Sequence, residues 1–196
     1  LAVYNMSSGK THFLKTGQPK EQYLTNISWS PDEKFIYIAV LNRGQNHNKL
    51  NKYDAQSGEL VKTLFEEKHD KYVEPEEPVI FFPSNPDEFL WFSERDGYNH
   101  LYHYTTDGEL IGQVTKGEWV VTDFLGFDEK EKNIFIEATA ESPIERHIYE
   151  VNIKSGKMKK LTEAPGMHSA EISADREYIL DSYSNTETPK VINLLN

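Results

Sequence analysis

Four similar turns recur along the chain at nearly constant spacing, and this repeat restricts the possible folds more than any other feature of the sequence. Each turn contains a glycine between two strand-like stretches; these glycines are Gly9, Gly58, Gly108 and Gly156. They are separated by 49, 50 and 48 residues. A hairpin turn that requires a positive φ explains why glycine occupies each position.

A second pattern lies upstream in each unit: an apolar strand, a polar turn and another apolar strand. It covers residues 27–38, 81–92, 124–136 and 170–180. Each unit therefore holds four strands in about 50 residues, which is typical of a β-propeller blade. No stretch of ten or more residues has helical periodicity. The sequence predicts an all-β fold, a partial β-propeller of four-stranded antiparallel blades, with the apolar first strand of each blade nearest the central channel.

The repeat divides the chain into three complete blades and two incomplete ones. The predicted complete blades are 25–66, 78–115 and 121–162. Residues 1–15 supply only the end of one blade, and residues 167–196 supply the start of another. The incomplete blades could close on each other to give four blades, or the chain could be an arc of a larger propeller. The start at Leu1, inside a strand-like pattern, favours the arc.

Composition excludes several classes of chemistry. The 196 residues contain no cysteine, so disulfides, thiolate metal sites and a cysteine nucleophile are absent. The net charge of −11, from 21 basic and 32 acidic residues, argues against a nucleic-acid partner. No apolar run approaches the roughly 20 residues of a membrane-spanning helix, so we expect no membrane span.

Candidate metal and catalytic residues are few. His100 and His103 belong to one predicted strand and should face opposite sides of it, which argues against a shared metal ion. His69 and Asp70 have no third ligand at a useful spacing. The chain has neither a Gly-x-Ser-x-Gly nucleophile elbow nor a phosphate-binding Gly-x-x-x-x-Gly-Lys loop. We therefore predict no catalytic residue, cofactor or metal site in this chain.

A charged stretch, 66–77, separates the first two complete blades. It contains two acidic pairs, Glu66–Glu67 and Glu76–Glu77. Adjacent acids in an acidic chain are usually surface groups, so we interpret both pairs as solvated. The stretch is then an exposed loop between blades; the alternative is a loop that lines the mouth of the channel.

One motif resembles a known family. Residues 93–102 read Ser-Glu-Arg-Asp-Gly-Tyr-Asn-His-Leu-Tyr, with Asp96-Gly97 as a hairpin turn and Arg95 expected to pair with Glu94 or a nearby acid. Further matches lie at 72–75, 115–121, 142–149, 161–162 and 166–168. Together they resemble the propeller of the dipeptidyl peptidase IV family, within the prolyl oligopeptidase superfamily, in its Bacteroidetes-type bacterial form.

The resemblance implies a two-domain serine exopeptidase that removes Xaa-Pro or Xaa-Ala dipeptides from peptide N-termini. The catalytic α/β-hydrolase domain lies outside this chain, which alone should be inactive. In the family, the propeller supplies a glutamate pair that binds the substrate α-amine, but that pair lies upstream of the matched region. The family also has a segment near the outer substrate subsites, and residues 72–77 correspond to it in this chain. Tyr72 and Glu74 are therefore the substrate-proximal candidates.

The expected partners follow from the same resemblance. They are a peptide substrate bound through the full-length enzyme and the catalytic domain of that enzyme. Exposed blade edges would also permit a homodimer. Bacterial relatives are usually exported, which implies a periplasmic, secreted or cell-surface parent protein. Two alternatives stay open: a stand-alone propeller that serves as a protein-interaction scaffold, and a TolB-like periplasmic propeller.

Overall fold

The structure, a computed structural model, describes residues 1–195, and this part of the chain forms seventeen β-strands and no helix. The strands make five antiparallel sheets, in which strands adjacent along the chain are adjacent in the sheet. The fold is all-β, a partial β-propeller of four-stranded antiparallel blades. The prediction of fold class is therefore confirmed. Residues 1–195 contain no helix that could cross a membrane.

The sheets are numbered in chain order. Sheet 1 contains β1 (Ala2–Asn5) and β2 (Lys10–Phe13). Sheet 2 contains β3 (Tyr23–Trp29), β4 (Phe35–Leu41), β5 (His47–Asp54) and β6 (Leu60–Lys68). Sheet 3 contains β7 (Ile80–Phe81), β8 (Glu88–Ser93), β9 (His100–Thr105) and β10 (Leu110–Gln113). Sheet 4 contains β11 (Val121–Phe127), β12 (Asn133–Ala138), β13 (His147–Asn152) and β14 (Met158–Lys160). Sheet 5 contains β15 (Met167–Ile172), β16 (Ile179–Ser184) and β17 (Val191–Leu195).

The chain folds into two compact units. The first contains Leu1–Arg95 and His103–Ile111. The second contains Asp96–Tyr102 and the described chain from Gly112 onward. Sheets 1 and 2 lie in the first unit, sheets 4 and 5 in the second, and the residues of sheet 3 are shared between them.

The core of the first unit is built on β4, which is covered on both faces. One face belongs to an apolar cluster of Leu14, Ile36, Ile38, Val40, Tyr53 and Ala55. On the other face, the Tyr37 ring lies 5.2 Å from the Phe81 ring and 6.2 Å from the Phe89 ring, edge to face. A strand buried on both faces needs a continuous apolar sequence instead of an alternating one.

In sheets 2 and 3 the continuously buried strand is the second one. Every residue of β4 and β8 except the first is buried, whereas the first strand of sheet 2, β3, is half exposed along its length. In sheet 4 the second and third strands, β12 and β13, are each buried at four of six positions. The sequence led us to expect the continuous apolar run in the first strand. That expectation was wrong because neighbouring elements cover both faces of the second strand.

The repeated glycines let consecutive sheets approach closely. Gly108, at φ +85°, lies so near β6 that an added Cβ would be 2.5 Å from the Leu64 carbonyl oxygen. Gly58, at φ +73°, lies similarly close to the carbonyl oxygen of Phe13, and its own carbonyl accepts the Lys15 amide at 2.8 Å. The turn of one sheet thus docks against the outer strand of the preceding sheet, which adds a steric requirement to the positive φ.

In the second unit, sheets 4 and 5 share a core. The side chains of Ile134, Ile136, Ile148 and Val151 are fully buried within sheet 4. The Arg176 guanidinium donates to the Phe127 carbonyl at 2.9 Å, and the His147 and His168 rings lie 4.9 Å apart. The opposite face of sheet 5 leaves four large apolar side chains exposed: Met167, Leu180, Ile192 and Leu194.

Candidate functional site

An open groove of about 460 Å³ lies in the first unit, where sheet 2 meets the charged segment that follows it. Its wall residues come from the start of β3, the end of β4, the turn after β4 and the segment after β6. They are Tyr23, Thr25, Leu41, Gln45, Val73, Glu74, Pro75 and Glu76. We refer to this feature as the groove.

The turn that forms one side of the groove is held by its own side chains. The Asn42 side-chain oxygen accepts the backbone amides of Asn46 and His47 at 3.0 and 3.1 Å. The Asn42 amide group donates to the Asn46 side-chain oxygen at 2.8 Å. Asparagine side chains stabilise tight turns in this way because they replace missing backbone hydrogen bonds. Gln45, at φ +54°, occupies the left-handed region that this turn requires.

The opposite side of the groove is segment 69–79, which has no regular secondary structure. Two backbone hydrogen bonds attach it to the turn: the His69 amide donates to Asn46 at 3.1 Å, and the Val73 amide donates to Gln45 at 2.8 Å. These two bonds hold the start of the segment against the turn, next to the point where the segment leaves sheet 2.

The chemistry of the groove combines apolar walls with acidic groups. Leu41 is buried and Val73 and Pro75 are half buried, whereas Glu74 and Glu76 are exposed. At the rim, the Arg43 guanidinium lies 5.4 Å from the centre of the Tyr23 ring. Such a site can hold a short apolar chain whose charged end is cationic, since the exposed carboxylate of Glu74 can contact an ammonium group.

Of the two residues that the family resemblance suggested, one is a wall residue of the groove and the other is not. Glu74 lines the groove. Tyr72 is 54% exposed just before it, with its ring 6.4 Å from the His69 ring. Their role in substrate binding stays a prediction. The other wall residues, from Tyr23 to Gln45, were not found from the sequence because they meet segment 69–79 only through the folding of sheet 2.

The acidic pair that ends β6 differs from its predicted state. Glu66 is a surface group that contacts Lys49, Lys68 and His47 at 2.8–3.1 Å. Those contacts lower the pKa of Glu66 to about 2, first through the hydrogen bond to His47 and then through the two lysines. The Glu67 side chain, in contrast, is only 9% exposed. Interpreting both residues as solvated was therefore wrong for Glu67, since successive strand residues face opposite sides.

Glu67 is the centre of a polar cluster that is buried except at Arg95, whose side chain is 30% exposed. Its carboxylate accepts the Trp91 indole N–H at 3.3 Å, the Ser93 hydroxyl, and the Arg95 guanidinium at 2.8 Å. Arg95 also donates to Ser93 at 2.9 Å and to the Tyr104 hydroxyl. We call Glu67, Trp91, Ser93, Arg95 and Tyr104 the clasp. The acid that pairs with Arg95 is thus Glu67, a residue 28 positions away.

Electrostatics favour the charged form of the clasp arginine. Burial lowers the pKa of Arg95, but Tyr104 and then Glu67 raise it by more, and the net pKa is raised. The guanidinium also lies over the Phe65 and Tyr104 rings, 5.8 and 5.5 Å from their centres. A buried carboxylate with several donors and a cation is a stable arrangement only while every partner is present.

The histidines considered as metal ligands have separate partners. His100 is fully buried, with Nδ1 3.0 Å from the Thr115 hydroxyl and Nε2 3.0 Å from the Gly117 carbonyl oxygen. His103 Nε2 lies 2.7 Å from a Glu88 carboxylate oxygen. His69 Nδ1 accepts the Lys71 amide. Among residues 1–195, no group of three His, Asp or Glu side chains is arranged to hold a metal ion.

Comparison with known proteins gives one family. The family model that describes the dipeptidyl peptidase IV (DPP IV) N-terminal region matches residues 1–190. The chain is 30% identical over 182 residues to dipeptidyl-aminopeptidase B of Aspergillus niger, which covers 86% of this chain and 20% of that protein. It is 23% identical over 224 residues to human dipeptidyl peptidase 8, covering 88% of this chain and 25% of that protein.

Solved structures agree with this family. A Bacteroides ovatus protein described as a dipeptidyl aminopeptidase IV superposes on 100% of this chain with a TM-score of 0.91 and 38% identity. Porphyromonas gingivalis dipeptidyl peptidase 4 superposes on 98% of it with a TM-score of 0.86 and 26% identity. The match covers 30% and 27% of those chains. This chain therefore spans a fifth to a third of the length of these relatives.

Proposed function

The chain belongs to the family of the dipeptidyl peptidase IV N-terminal region, and from this premise we propose that it is the propeller segment of a serine exopeptidase. The whole enzyme would release N-terminal Xaa-Pro or Xaa-Ala dipeptides. The dipeptidyl peptidase names of the relatives support this proposal. The sequence contains no nucleophile elbow, so the acyl-transfer chemistry would lie in a separate α/β-hydrolase domain on which this segment packs.

The groove carries the proposal for this chain's own residues. It joins apolar walls to the exposed carboxylates of Glu74 and Glu76, and the segment that forms it is the one that contains both predicted substrate-proximal residues. A peptide N-terminus presents an ammonium group beside small apolar side chains. Glu74 would attract the ammonium group, and Tyr72 would cover the peptide at the rim.

Peptide titration of the 196-residue chain tests this role. The ¹⁵N-labelled protein is titrated with Gly-Pro-Ala, and N-acetyl-Gly-Pro-Ala, whose N-terminus carries no charge, serves as the control. We expect shifts at Gln45, Val73 and Glu74, and weaker binding after acetylation. Glu74→Gln should weaken binding by about two- to fivefold, the value of one exposed ion pair.

A matched control is available three residues along the segment. Glu77 is exposed like Glu74 but is not one of the wall residues, so Glu77→Gln should leave the affinity unchanged. Shifts spread evenly over the surface, or equal affinity for both peptides, would refute the role of the groove. The chain alone should not cleave glycyl-prolyl-p-nitroanilide, and turnover above a mock preparation would contradict a catalytic centre outside it.

Two further proposals concern the location of the parent protein and its association. The parent protein would be exported to the periplasm or cell surface, which fractionation of a native host would test. The homodimer is proposed through exposed blade edges, together with the apolar face of sheet 5 that carries Leu180, Ile192 and Leu194.

A further inference from the structure

The clasp lies at the point where the chain leaves sheet 2 to form the groove wall. Glu67 is the penultimate residue of β6, and segment 69–79 begins two residues later. Once β6 has ended, the backbone bonds of His69 to Asn46 and of Val73 to Gln45 hold the start of the segment. The clasp is therefore a buried side-chain anchor immediately before the wall.

The residues that bind Glu67 lie in or next to sheet 3, whereas the turn on the other side of the groove belongs to sheet 2. Trp91 and Ser93 belong to β8, and Arg95 follows it. The turn at 42–46 belongs to sheet 2. The start of the wall is thus fixed from β8 by the clasp, and its middle is fixed from the turn by the Val73 bond.

A buried polar side chain lies next to the clasp. Asn48 lies directly opposite Glu67 in the β5–β6 register and is fully buried, yet neither atom of its side-chain amide has a hydrogen-bond partner. Asn48 is also opposite Leu41, a wall residue, in the β4–β5 register. The buried amide of Asn48 therefore lies on one face of sheet 2 between Glu67 of the clasp and Leu41 of the groove wall. A buried amide without a partner is rare in folded proteins.

From these contacts we infer that Glu67 and Arg95 are positioning residues for the groove: their ion pair sets where segment 69–79 lies and so controls the affinity of the peptide subsite. The inference rests on the proposed function of the groove. Neither residue is one of the wall residues of the groove. The effect passes through the backbone from Glu67 to Val73 and Glu74.

Hydrogen–deuterium exchange of the 196-residue chain tests the positioning step without any ligand. In Glu67→Gln, which keeps the shape but removes the charge, exchange in residues 69–77 should become at least about tenfold faster, the effect of losing one hydrogen bond to a charged group. Exchange in β4 should change by less than about twofold. Glu66→Gln, the adjacent exposed acid, removes surface ion pairs, so it should change exchange in both segments to the same extent and by less than about fivefold.

Two further variants distinguish positioning from general stability. Ile38→Val weakens the core and should accelerate exchange in β4 and in 69–77 alike. Glu67→Gln combined with Arg95→Gln removes both charges, so that no buried charge is left unpaired and stability largely returns. Exchange in 69–77 should stay fast in that double variant. If it recovers together with stability, the pair is only structural and the inference fails.

The peptide titration completes the test. The affinity for Gly-Pro-Ala should fall by about tenfold in Glu67→Gln and in the double variant, and should not change in Glu66→Gln. If the wild-type chain binds no peptide, the proposed function of the groove is wrong, whereas the exchange experiment still decides whether the clasp positions the segment. If exchange in 69–77 is unaffected by Glu67→Gln and by Arg95→Met, the positioning role is refuted whatever the peptide does.

Discussion

The close approach of consecutive sheets can be tested with a single added methyl group. At Gly108, with φ +85°, a Cβ would lie 2.5 Å from the Leu64 carbonyl oxygen and 2.9 Å from the Leu64 α-carbon. Gly9 has the same place in the first repeat, at φ +65°, yet a Cβ there meets nothing closer than the Tyr4 hydroxyl at 4.0 Å. Gly9→Ala therefore introduces backbone strain alone, whereas Gly108→Ala introduces strain and overlap.

The expected difference follows from these distances. A non-glycine residue in the left-handed region costs about 1–2 kcal/mol, which is the whole expected effect of Gly9→Ala. At Gly108 the two backbones would have to separate by roughly 1 Å to restore an ordinary contact. Overpacking of this kind costs a further 1–3 kcal/mol, approximately, so Gly108→Ala should lower the free energy of unfolding by about 2–5 kcal/mol.

Urea unfolding of the chain and its two variants measures this difference, with far-UV circular dichroism and tryptophan fluorescence as independent probes. Gly58→Ala should behave like Gly108→Ala, because Gly58 meets the backbone of Phe13 in the same way. If Gly9→Ala and Gly108→Ala lower the free energy of unfolding by amounts that agree within about 0.5 kcal/mol, the docking of turns on strands adds nothing to the stability beyond the turn itself.

Three other predictions concern pH and association. The pKa of Glu66 is lowered from 4.5 to about 2, so the ionised carboxylate favours the folded state; this stability is present above pH 4.5 and is lost as the pH falls towards 2. In urea titrations Glu66→Gln should flatten that acid limb, and an unaltered slope would contradict the assignment. Burial raises the pKa of Tyr149 from 10.0 to about 12, so the stability that it contributes is full below pH 10 and is lost as the pH rises to 12. Tyr149→Phe should reduce the alkaline loss, and the same loss in both proteins would exclude Tyr149 as its source. Sedimentation velocity should show a dimer that Ile192→Lys converts to monomer, since Ile192 is 62% exposed on sheet 5; a wild-type monomer at every concentration would refute association.

The fold was accessible from the sequence because its signals are local. A turn glycine, two alternating strands and an apolar–polar–apolar pattern each lie within a few residues, and their recurrence indicates the architecture without knowledge of any distant contact. The burial of individual strands was harder to predict from the sequence. The sequence does not show which strand neighbours cover on both faces, and β4 exceeds β3 in burial for that reason.

The candidate site was only partly accessible. Tyr72 and Glu74 were reached through a resemblance, whereas Tyr23 and Gln45 join the groove only once sheet 2 has formed. Alternation along a strand predicts that Glu66 and Glu67 face opposite sides, but identical side chains do not indicate which one is inside. The answer depends on Arg95, whose partner lies 28 residues away.

The docking of each sheet on its predecessor also bears on how the chain assembles. Within each unit, the contacts between consecutive sheets join residues about one repeat apart: Lys62 with Asp107, 45 residues, and Arg176 with Phe127, 49 residues. Coupling between nearest neighbours makes folding a propagation from sheet to sheet. During synthesis from the N-terminus, each new sheet can therefore dock on one that is already complete, and the order of translation becomes the order of assembly.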